Sequence, residues 1–143
     1  METVICDYCG QPARLVKGSF LYPKRADLHS LNFYYCDNDH DPAYVGCHKG
    51  GDGKQPLGRL ADDELRYWKS MAHNAFDPLW QRHSGCRIFR TRRSAYAWLS
   101  KALNITGEKC HIGMFDLAQC KQVVKVCFKA EFNNAQRLSA KYS

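Results

Sequence analysis

The stretch "YYCDNDHDPAYVGCHKGGDG", Tyr34 to Gly53, decides how the first part of the chain is read. It holds Cys36, His40, Cys47 and His48, two cysteines and two histidines within thirteen positions. Upstream, "CDYCG" adds Cys6 and Cys9. A closed zinc site takes four such donors, so there is more ligand chemistry here than one ion needs. Cys6-x2-Cys9 is the specific half. Two intervening residues let both sulfurs face one ion while knuckle amides bond to them. Gly10 permits the tight turn that follows. Cys36 comes after an aromatic run, where a ribbon needs its third ligand, and a Cys-x3-His pair lets His40 reach the same ion. The expected set is Cys6, Cys9, Cys36 and His40 around one structural zinc, with Cys47 the alternative fourth ligand.

Working outward, "VICDYCGQPARLVKG" reads as a short strand, a knuckle and a second strand ending at Gly18. "LNFYYC" is β-prone and leads into the second knuckle, and "AYVGC" is a candidate third strand. "HKGGDGKQPLG" is rich in glycine and turn residues and reads as a linker. It lacks the spacing of a phosphate loop. Beyond it the period becomes helical. Ala61 to Phe76 places Leu65, Trp68, Ala72, Ala75 and Phe76 on one stripe, with acids in the first turn and Pro78 as the stop. A second helix is expected over Arg92 to Leu103, with Thr91 as N-cap and Asn104 as stop. Ala95, Leu99, Ala102 and Leu103 would face inward. A third starts at Asp116, with Gln119 at capping-box spacing. Leu117, Cys120, Val124 and Cys127 would form its apolar face. The expected class is α+β: a zinc ribbon of short antiparallel strands, then a three-helix region. The expected division is residues 1–55, ribbon and linker, and residues 56–143, a basic helical region packed against it.

At 143 residues with three Trp, eight Tyr and seven Phe, the chain can bury a core. No apolar run is long enough to cross a membrane, and the N-terminus lacks an export pattern. Eight cysteines without such a pattern point to metal binding in a reducing cytoplasm rather than to disulfides. The net charge of +7 is unevenly spread. From Pro78 to Gly107 there is no Asp or Glu, yet the stretch carries Arg82, Arg87, Arg90, Arg92, Arg93 and Lys101. A one-signed segment interleaved with Trp80, Phe89, Tyr96 and Trp98 suits a nucleic acid.

"CDYCGQPARLVKG" and the aromatic run into Cys36 resemble the zinc ribbons at the C-terminus of bacterial type I topoisomerases, which grip single-stranded DNA. Over nearly its whole length the chain is also similar to a bacterial and phage family described as a zinc-finger-containing domain. "AYVGCHKG", "PLGRLADDELR", "AHNAFDPLW", "AYAWL" and "CHIGMFD" carry that resemblance. It implies a zinc ribbon joined to helices in a phage or mobile-element setting, and brings no activity. The family's pattern has a cysteine just before "AYVGCH". Here that place reads "HDP", so the resemblance implies that His40 serves instead.

The dipeptide Cys47-His48 recurs as Cys110-His111, and His73 and Asp77 stand i, i+4. Brought together, His48, His73, Asp77 and His111 would make a second metal site or a catalytic group, and the chain a nuclease-like hydrolase. The plainer reading makes His73 a helix-end cap, Asp77 a turn acid and Cys110 a small buried residue, with Cys86, Cys120 and Cys127 in the core. Three functions follow: a DNA- or RNA-binding module using the basic half, a metal-dependent hydrolase, and an accessory factor docking on a host protein. The first is preferred.

Overall fold

The computed structural model describes residues 3–142, with side chains through Ser139. The chain divides into two compact units, Met1–Arg66 and Tyr67–Ser143.

In the first unit, β1 (Arg14–Lys17), β2 (Asn32–Cys36) and β3 (Ala43–Gly46) form an antiparallel sheet in the order β1-β2-β3. The strand expected around Ile5 is a single bridge, Ile5 to Pro12, because the Cys6–Gly10 turn consumes the next residues. Register sets the two faces. Arg14 pairs with Tyr35 and Tyr35 with Tyr44; one step on, Cys36 pairs with Ala43. Alternation therefore puts Tyr35 and Tyr44 on one face and Cys36 and Ala43 on the other. On the second face Cys6, Cys36, Ala43 and Leu60 are buried together, with Val4, Cys9, Ala13, Tyr34 and Val45 packed against them. On the first, Phe20 meets Tyr35 edge-on and the Tyr22 and Tyr44 hydroxyls lie 2.6 Å apart.

A short helix, α1 (Gly18–Leu21), and a 3-10 turn at Ala26–Leu28 bridge β1 to β2. A Cβ on Gly18 would lie 1.7 Å from the Leu28 carbonyl oxygen, so only glycine allows this approach.

The glycine-rich stretch is not the expected linker. Gly51 and Gly53 take left-handed φ of 61° and 69° and reverse the chain. His48 N–H then donates to Gln55 O, Leu57 N–H to Gly46 O, and Tyr44 and Ala61 exchange both backbone bonds. The segment is the return arm of a hairpin, and its turn residues close a tight loop rather than a flexible one.

That arm delays the first long helix. Ala61 is held in the ladder, the Asp62 carboxylate accepts from Leu65 N–H, and α2 runs Asp63–Phe76. The division between the units falls inside it. Arg66 lies 3.5 Å over the Tyr44 ring, fastening the start of α2 to the sheet.

In the second unit, α2 passes into a 3-10 turn at Asp77–Leu79, where Pro78 ends the α geometry. Helix α3 (Arg92–Leu103) has the expected limits. Thr91 and Ser94 form a reciprocal capping box, and Asn104 closes the helix in left-handed conformation. Ala95, Leu99 and Leu103 are buried, but Ala102 is exposed, so the inward stripe is narrower than expected. Helix α4 (Leu117–Tyr142) begins with the expected box between Asp116 and Gln119. Among its described side chains the buried ones are Cys120, Val123 and Cys127; Leu117 and Val124 are only half-buried. These residues share a core with Ala72, Phe76, Leu79, Ile112 and Phe115. Cys86 is not in it: its thiol is half-buried and donates to Glu131 Oε1 at 3.2 Å. Among the described residues, no helix is long and apolar enough to cross a membrane.

Candidate metal centre and basic segment

Two knuckles bring the donors together. In the first, Gly10 N–H donates to Cys6 O at 2.8 Å, and Gly10 takes the left-handed φ of 74° that turns the chain back. In the second, Asp39 does the same service at φ 57°, a conformation Asp tolerates better than most residues. The turns are held out from the Cys36 end of β2 and from the chain before β1, so their side chains meet on one face.

Cys6 Sγ lies 3.4 Å from His40 Nε2, Cys36 Sγ 3.5 Å from the same nitrogen, and Cys9 Sγ 3.5 Å from Cys36 Sγ. All four donor atoms fall within 4.8 Å of one another. A tetrahedral zinc with bonds of about 2.3 Å to sulfur and 2.0 Å to nitrogen has edges of roughly 3.5 to 3.8 Å, so the group matches that ion in size. Four protein donors leave no open position for water, which is the pattern of a structural site.

The surroundings act on the donor thiols in opposite directions. Gln11 N–H bonds to Cys9 Sγ and holds that thiol down to about 7, while burial pushes Cys36 up to about 11 against the Asn38 N–H. His40 Nδ1 is 2.6 Å from Asp41 O. A carbonyl can only accept, so Nδ1 carries the proton and Nε2 presents its lone pair to the sulfurs. Tyr8 stacks on the His40 ring at 5.3 Å, and its hydroxyl accepts from Asp62 N–H. The Asp41 carbonyl and Tyr8 were not visible as partners in sequence, since both depend on the fold of the knuckle.

Cys47 does not join the group. It lies four residues past Ala43, the partner of Cys36, which is about 13 Å along a strand. Its backbone pairs with Pro56 instead. His48 is exposed in the hairpin. In the second unit His73 Nδ1 lies 3.5 Å from Asp77 Oδ2, His111 sits beside Tyr96 at 5.8 Å between ring centres, and Cys110 is buried with its thiol toward Tyr96 O. Among the described residues, no second group of three or more metal-ligating side chains converges.

Arg82, Arg87, Arg90, Arg92, Arg93 and Lys101 are all exposed. Among the described residues none of them forms an ion pair. Arg87 donates to Phe89 O and Arg90 O at 3.0 and 2.7 Å, so it staples its own loop. Arg92 lies 5.0 Å over the Tyr96 ring. Charge divides with the units. Met1–Arg66 carries eight Lys and Arg against ten Asp and Glu, and Tyr67–Ser143 carries thirteen against four.

A family model described as a zinc-finger-containing domain matches residues 2–130. The chain belongs to that family, and with the Cys3His group this makes it a zinc-ribbon protein with one structural zinc. No curated protein and no solved structure matches the chain.

Proposed function

We propose that this member of the zinc-finger-containing domain family binds nucleic acid through its second unit, while Cys6, Cys9, Cys36 and His40 hold the zinc that folds the first. The observation that carries the reading is the uncompensated charge of the 78–107 segment: six exposed cations, no acid in sequence, and no ion pair among the described residues. A surface of that kind concentrates a polyanion and releases its counterions. The first unit is net acidic, so the ribbon is scaffold rather than the phosphate contact. Division of labour thus follows the two units: metal in the first, polyanion in the second. None of the eight cysteines is joined in a disulfide, which supports a reducing, cytoplasmic setting. The family resemblance seen in sequence supports an accessory role in a phage or mobile element.

The test is DNA affinity across a salt series, read by fluorescence anisotropy. Replacing Arg90, Arg92 and Arg93 together by Gln should weaken binding on the order of tenfold or more and flatten the salt slope by up to about 3. Replacing Lys17 and Lys24 by Gln should change affinity less than about twofold. Equal losses in the two sets, or no binding by the wild type, would overturn the reading.

A further inference from the structure

The loop that follows Leu79 has a concave surface of about 520 Å³ lined by Trp80, Gln81, Arg82, His83 and Ser84. The depression is shallow and open, with Gln81, Arg82 and His83 exposed along it. The loop is closed and braced. Leu79 O accepts from both Ile88 N–H and Phe89 N–H at 2.8 Å, and Gln81 N–H and Ser84 N–H make further turn bonds. Arg87 staples its far end, where Phe89 packs on Trp98 of α3 at 5.3 Å. Trp80 is held in place by its own polar atom: Nε1–H donates to Asp77 Oδ1 at 3.1 Å. With Asp77 also facing His73, that carboxylate is engaged from two sides. The indole is left with its ring as the contact it can offer, beside one permanent cation and one imidazole.

We infer that this depression seats an unpaired nucleobase of a single-stranded nucleic acid, with Trp80 as the stacking face and Arg82 taking an adjacent phosphate. The inference rests on the nucleic-acid reading above and names its strand class. A base inside a duplex is already stacked on its neighbours and cannot enter a concavity, whereas an unpaired base gains an aromatic partner there. Arg90 and Arg93, later in the same acid-free stretch of sequence, are further cations for the strand's phosphates, while Asp77 and Glu131 beside the loop are already engaged by Trp80 and Cys86.

The experiment compares three labelled probes of about 12 nucleotides: a thymidine strand, an abasic strand with the same phosphates, and a duplex. Wild type should bind the thymidine strand roughly 5- to 150-fold more tightly than the abasic one. Trp80→Leu should lose that preference and keep its duplex affinity; Trp80→Phe should retain most of it. In a chain with Trp68→Phe and Trp98→Phe, the remaining Trp80 fluorescence should be quenched by the thymidine strand and not by the abasic one, which needs no change at Trp80. Equal wild-type affinity for base-bearing and abasic strands, an unquenched Trp80, or an undiminished preference in Trp80→Leu would overturn the pocket while leaving salt-dependent binding by the basic segment intact. Absence of binding to all three probes would instead overturn the nucleic-acid reading itself.

Discussion

Cys9 and Cys127 are both thiols in opposite environments. Cys9 receives the Gln11 N–H and is held down to about 7; burial pushes Cys127 up to about 12. One is prepared to be a thiolate on a metal, the other to remain a small apolar group. Cys9→Ser should therefore lose zinc and unfold the first unit, because metal-binding energy is folding energy in a domain this small. Cys127→Ser should keep its zinc and lose about 1–3 kcal/mol, the cost of burying a hydroxyl without a full set of partners. Zinc content and thermal melting of the two variants would show this; similar, small losses with zinc retained in both would count against it. The four donors were legible in sequence because knuckle spacing is local. Cys47 stayed open as a rival because sequence distance alone does not exclude it; strand register does. The role of Arg87 was not legible. In sequence it is one more cation, and only the loop's curvature brings the Phe89 and Arg90 carbonyls within its reach.

Among the elements, α3 was read with correct ends, since capping residues stand next to the turn they stabilise. Yet its first turn has no acid and carries Arg92 and Arg93 at the end where the helix dipole is positive. Stability alone would place acids there. Arg93→Glu should stabilise the fold by a few tenths to about 1 kcal/mol, read as a slightly higher melting temperature, and weaken nucleic-acid binding at the same time. Loss of both stability and affinity would mean that Arg93 is structural. The hairpin return arm is not legible as such, because glycines and prolines signal a turn without saying whether the chain after it pairs. On α4, Cys120 and Cys127 were placed correctly, but Val123 rather than Val124 completes the buried face. Adjacent valines cannot be separated by periodicity; packing decides. Past Cys127, α4 exposes Phe128 and Phe132, which the inward stripe does not use.

Across the whole molecule, each compact unit has its own means of holding together. The first buries few residues, with a cluster centred on Cys6, Cys36, Ala43 and Leu60 that includes the metal donors themselves. A core that small needs a metal to persist. The second has a larger apolar core from Ala72 to Cys127 and no convergent group of metal-ligating side chains among the described residues. The basic stretch within the net charge of +7 is legible in sequence; the net acidity of the first unit emerges once the division at Arg66 is known. The central claim is a single structural zinc closed by His40. The most direct measurement is zinc per chain, by elemental analysis of natively purified wild type, His40→Ala and Cys47→Ala. The account predicts one zinc in the wild type and in Cys47→Ala, and zinc lost or readily stripped by chelator in His40→Ala. Two zincs in the wild type, or zinc lost from Cys47→Ala and kept in His40→Ala, would contradict it.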